Sequence, residues 1–109
     1  LIEACVQTLS SAIAAAGAGA DRLELCSALS DGGVTPSAGL LRVVRGQIEI
    51  PVHVLIRPRG GDFAYAEGEI EAILEDIKEA KRAGADGVVV GALARDGTID
   101  RIVTRRLVE

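Results

Sequence analysis

VHVLIRPRGGDF, residues 52–63, changes character halfway along its length. The first half alternates as a strand does, with Val52, Val54 and Ile56 on one face and His53, Leu55 and Arg57 on the other. The first face is apolar enough to lie beneath helices. The second delivers a guanidinium to the carboxyl end of the strand, where Arg59 and the Gly60-Gly61 pair follow. Parallel α/β folds keep their chemistry just past the carboxyl ends of their strands. This stretch therefore predicts both a fold class and the side of the sheet that carries function.

Working outward, the same strand-then-helix order recurs on both sides. Residues 1–6 (LIEACV) read as a first strand, and Thr8 caps a helix over 9–16 that Gly17 and Gly19 end. Residues 22–26 (RLELC) form a second strand, and Thr35-Pro36 opens a helix to about residue 45. After the strand at 52–57, Ile70, Ile73, Leu74 and Ile77 fall at helical spacing within a helix over 66–83. Residues 87–93 (GVVVGAL) are apolar throughout, as suits a strand covered on both faces. Asp96-Gly97 turns, and a last helix begins near residue 99.

The order β-α-β-α-β-α-β-α leaves room only for right-handed crossovers. AGAD occurs before the second strand (18–21) and again before the fourth (83–86), two units later. Such repetition predicts α/β architecture of the (β/α)8 TIM-barrel kind. A full barrel needs roughly 250 residues, so 109 make about half of one, a single partial domain over 1–109. A small doubly wound sheet is the rival, but the Gly-rich phosphate fingerprint expected after its first strand is missing. The absence of Met and the abrupt start inside a strand predict a piece of a longer protein.

Composition narrows the function. Hydrophobic residues make up 49% of the chain with one Phe and one Tyr, so Ala, Val, Leu and Ile must build the core. A net charge of -4 without a basic, aromatic-studded patch argues against nucleic acid. No apolar run approaches the roughly 20 residues of a membrane span. Two cysteines are too few for a secreted disulfide framework, which points to the cytoplasm.

The first two strands share one short pattern, Glu3-Ala4-Cys5 and Glu24-Leu25-Cys26. Residues two apart share a strand face, so each Glu and its Cys point together. Paired level, the two strands would bring thiol to thiol and carboxylate to carboxylate, with Arg57 added beside Glu24 from the third. Buried charge costs several kcal/mol, which favours a pocket over a passive ion network. Either Cys alone is as often a small core residue, and His53, at the start of its strand, reads as a core histidine. Two chemistries fit. Soft thiolates at Cys5 and Cys26 select Cu(I). Alternatively Arg57 and Arg59 clamp a small anionic metabolite while Glu3 or Glu24 serves as acid or base.

Glu3-Ala4-Cys5-Val6, GADRLELC (19–26), GGVTPSAGL (32–40), IPVHVLIRPRGGDF (50–63), GADGVVVGAL (84–93) and DGTID (96–100) together resemble the CutC copper homeostasis family. The resemblance covers nearly the whole chain in order. It implies a TIM barrel, a cytoplasmic location, self-association and a copper-binding role in tolerance or trafficking. Cys5 and Cys26 match the family's proposed copper ligands, and Glu3, Glu24, Arg57 and Arg59 match its polar cluster at the strand ends. Gln7 departs from the family's usual Asp, and the chain stops near the middle of the family's length.

Overall fold

The computed structural model describes residues 1–108. Its elements run β1 (Glu3–Val6), α1 (Leu9–Gly17), β2 (Arg22–Leu25), a 3-10 turn (Leu29–Asp31), α2 (Ala38–Gln47), β3 (Val52–Leu55), α3 (Glu67–Arg82), β4 (Gly87–Val89) and α4 (Arg101–Val108). The strands form one parallel sheet in the order β1-β2-β3-β4. Each strand lies beside the next in sequence, as in consecutive units of a (β/α)8 barrel. A doubly wound sheet would instead reverse its strand order partway. The fold is thus α/β, four βα units amounting to about half a barrel.

The period-two pattern decides which face the helices cover. Val6, Leu23, Leu25, Val52 and Val54 are buried with Ala12, Leu41, Val44, Ile48 and Ile73 in a single apolar cluster. Each such aliphatic side chain contributes about 1.5–3 kcal/mol when fully buried. A one-residue slip would turn every one of them to the wrong side, so the register is fixed by the core. The opposite face carries Glu3, Cys5, Glu24, His53 and Leu55, none of them buried. That face is the inner wall of the barrel.

The repeated AGAD has a structural task at the amino ends of the strands. Gly19 and Gly84 adopt φ of 102° and 99°, a conformation that lets the chain leave α1 and α3 sharply. The Asp that follows then reaches back across the sheet. Asp21 Oδ2 accepts the Ile2 N–H at 2.7 Å, and Asp86 Oδ2 accepts the Val52 N–H at 2.8 Å. Asp86 also accepts from Arg45 at 2.5 Å. Asp86→Ala should therefore destabilise the chain by about 1–2 kcal/mol, more than Asp21→Ala, in paired urea denaturation curves.

The second helix begins later than the sequence predicts. Ser37, not Thr35, is its cap, with the hydroxyl accepting from the Leu40 N–H at 3.1 Å. Thr35 is held elsewhere: its hydroxyl accepts from the Arg57 N–H at 2.8 Å, and its own N–H donates to the Arg57 carbonyl at 3.0 Å. A long-range tie to the end of β3 has outweighed the local Thr-Pro signal.

Candidate functional site

The polar inner face is built on β1 and β2, and their register differs from a level pairing of the two Glu-x-Cys patterns. Glu3 lies opposite Arg22 and Cys5 opposite Glu24, an offset of two residues. Glu3 accordingly pairs with Arg22, Nε to Oε2 at 2.5 Å, rather than approaching Glu24. The Cys5 thiol donates to Glu24 Oε2 at 3.2 Å. Cys26 sits just beyond the end of β2, diagonal to Cys5. Strand spacing and rise put the two Cα atoms roughly 8 Å apart, beyond disulfide reach without backbone movement.

The two thiols differ in access. Cys5 is exposed, whereas Cys26 is buried at 1% exposure. The Cys26 thiol points at the Val6 carbonyl, 3.6 Å away. Over it closes the loop of residues 27–34, pinned by paired backbone bonds between Ser27 and Val34 and by Gln7 Oε1, which accepts from the Leu29 N–H at 3.1 Å. The Glu24 hydrogen bond, then burial, then the Glu24 charge push the Cys5 thiol up to about 11. Burial and the same Glu24 charge raise Cys26. Glu24 thus holds the proton on Cys5, and burial is the main reason it stays on Cys26.

Arg57 and Arg59 both spend donors on groups of the protein itself. Arg57 is 8% exposed. Its Nη1 donates to the carbonyls of Asp31 and Gly33 at 3.0 and 2.8 Å, and its Nη2 donates to the Gly61 carbonyl at 2.9 Å. Only Nε is buried without a partner. Arg59 makes an ion pair with Glu69 and donates to the carbonyls of Asp62 and Ala64 at 2.8 and 3.1 Å. The pairing raises Arg59 and lowers Glu69. Each guanidinium also lies over an aromatic ring, Arg57 on Phe63 and Arg59 on Tyr65, both 5.0 Å from the centroid. The rings meet edge to face at 6.4 Å. The identical spacing of six residues in each Arg–aromatic pair was the signal for this ladder, and a reading centred on the arginines alone misses it.

His53 stands on the inner face with its imidazole against Gly87, where a Cβ would lie 3.0 Å from both Cε1 and Nε2. Among the described residues no group of three or more His, Cys, Asp or Glu is placed to hold a metal ion.

The carboxyl ends of β3 and β4 open onto a cleft. One part, of about 440 Å³, is lined by residues 62–64 and by Leu93, Ala94, Arg95 and Gly97. An adjoining part, of about 430 Å³, adds Tyr65, Glu69 and Asp100. Arg95 is absent from every residue set the sequence alone proposes, although its place in a βα loop beside DGTID marked the functional end of the sheet.

Comparison with known proteins places this arrangement among relatives. The model of the CutC family matches residues 1–109. The chain is 57% identical to a human protein named "Copper homeostasis protein cutC homolog" over 101 residues, 93% of this chain and 37% of that protein. It is 53% identical to the mouse protein of the same name, over 99% of this chain and 40% of the relative. The crystal structure of a putative copper homeostasis protein CutC from Streptococcus agalactiae superposes with a TM-score of 0.90 at 35% identity, covering 98% of this chain and 52% of that one. The chain thus spans about two-fifths of the length of these curated relatives.

Proposed function

The chain belongs to the CutC family, and from that premise we propose that it is a cytoplasmic copper homeostasis protein that takes Cu(I) on the thiols of Cys5 and Cys26. The observation that carries this reading is the Cys5 thiol donating to Glu24 Oε2 at 3.2 Å on the polar face of the sheet, with Cys26 two residues beyond Glu24. Two soft donors suffice for Cu(I). Cys5 is open to an arriving ion, and Cys26, at the rim of the 27–34 loop, becomes the second donor when that loop yields. The Cys5 proton must leave for a thiolate–metal bond to form, and Glu24 Oε2 is the acceptor already in contact with it. Reliance on two reduced thiols requires a reducing compartment.

Competition between the chain and a chromophoric Cu(I) chelator tests the reading. One Cu(I) per chain is expected, with Cys5→Ser lowering the affinity by at least about tenfold while leaving the melting temperature unchanged, because Cys5 is exposed. Affinity should rise with pH by about tenfold per unit for each proton displaced. Equal Cu(I) binding by the wild type and Cys5→Ser rules the thiol site out.

A further inference from the structure

We propose that residues 28–31 form a flap over the Cys26 thiol, with Gln7 as its catch and Ala28 as a strained hinge. Access to the second sulfur is then set by the β2–α2 loop rather than by the strands. Cys26 is buried while Cys5, on the neighbouring strand, is exposed. The Cys26 sulfur points at the Val6 carbonyl, 3.6 Å away. Gln7 is the next residue, and its Oε1 accepts from the Leu29 N–H at 3.1 Å. That one side-chain bond draws the loop down on the β1 side of the thiol.

Polar ties alone hold the flap. No residue of 27–34 joins the apolar cluster of the core, and residues 29–32 are exposed. Segments with few buried apolar contacts open at the lowest cost. The base of the loop is fixed, because Ser27 and Val34 exchange backbone bonds of 2.9 and 2.8 Å and Arg57 Nη1 donates to the Gly33 carbonyl at 2.8 Å. The tip moves as one piece, closed by the Asp31 N–H on the Ala28 carbonyl at 2.9 Å and the Gly32 N–H on the Leu29 carbonyl at 3.0 Å. Among the described residues, two hydrogen bonds tie that tip to the chain outside the loop: the Gln7 bond and that of Arg57 Nη1 to the Asp31 carbonyl, at 3.0 Å.

Hinges lie at both ends of the tip. Gly32, at φ of 88°, turns there without a Cβ to hinder it. Ala28 adopts φ of 50° and ψ of 52°, the one positive φ outside glycine among the described residues. A Cβ makes that left-handed conformation costly. The closed flap therefore carries strain that opening releases, and the Gln7 bond opposes that release.

Iodoacetamide labelling of Cys26 in the full chain carrying Cys5→Ser, read by mass spectrometry, tests this. Gln7→Ala should speed labelling by about fivefold, the worth of one ordinary hydrogen bond. Gln7→Glu keeps an acceptor and should not speed it. Ala28→Gly should slow labelling by about threefold, because glycine takes the left-handed conformation without the steric cost. A change that merely loosened the fold would speed labelling in every variant. Rates should also hold nearly constant in urea below the unfolding transition, since a local opening exposes little surface. Unchanged labelling in Gln7→Ala, faster labelling in Ala28→Gly, or rates that climb with urea in step with global unfolding would overturn the flap. No copper enters the measurement, so the flap and the copper reading stand or fall separately.

Discussion

Arg57→Ala should remove about 3–5 kcal/mol of folding stability, the usual consequence of breaking a buried charged hydrogen-bond set. One guanidinium satisfies the carbonyls of Asp31, Gly33 and Gly61, and so joins the loop after β2 to the loop after β3. Its charge is met by three carbonyl dipoles and the face of Phe63 rather than by a carboxylate. Truncation leaves the Gly33 carbonyl in a buried setting without a donor and opens a void over Phe63. Because small domains hold only about 5–15 kcal/mol in total, the variant should lose much of its cooperative transition. Arg57→Lys keeps the charge but not the fork, and should fall between the two. Arg59→Ala is the control. Its side chain is 36% exposed, so solvent screening keeps the loss well below that of Arg57→Ala. Urea denaturation of the three variants checks the order, and an Arg57→Ala midpoint matching that of Arg59→Ala would show that the loops hold without the staple.

Glu24→Gln should raise the alkylation rate of Cys5 at neutral pH by about tenfold. Only the thiolate reacts, and the Glu24 hydrogen bond is the largest reason the thiol stands at about 11 instead of the ordinary 9.0. Each unit of return toward the ordinary value gives about tenfold more thiolate at a fixed pH. Gln keeps an acceptor of the same shape, so packing is preserved while the charge is lost. Buried Cys26 contributes little to the early rate, so iodoacetamide uptake followed by mass spectrometry reads Cys5. An unchanged rate would mean that Glu24 does not hold the proton. The same shift predicts a pH dependence of folding. A thiol whose folded-state value lies above 9.0 favours the native state while protonated, so that stabilisation is present below pH 9 and is lost as pH rises toward about 11. In Glu24→Gln the alkaline loss should be smaller.

Much of the architecture was legible without coordinates because it rests on local and periodic signals. Alternation in 52–56 named the helix-facing residues of β3, and Val52, Val54 and Ile56 are indeed buried. The AGAD repeat marked equivalent points of two βα pairs, although its carboxylates' backbone bonds across the sheet were not visible in it. Element ends were less legible. The last residues of the predicted strands, such as Cys26 and Arg57, lie outside the ladders, where loop contacts take over the backbone.

Residue order, by itself, determined that four βα units form, which face of each strand is apolar, and that Glu3, Cys5 and Glu24 lie on the other face. Those properties follow from side-chain period and turn chemistry, both set by neighbours in the chain. Only the tertiary structure decided the stagger of β1 against β2, which set Cys5 beside Glu24 and Glu3 beside Arg22. Only it turned Arg57 inward to three carbonyls and left Arg95 facing the cleft without an ion pair among the described residues. The reason is physical: which strand position lies opposite which, and whether a long cation meets carbonyls or water, depends on how separate units pack, and spacing along one unit carries no record of that.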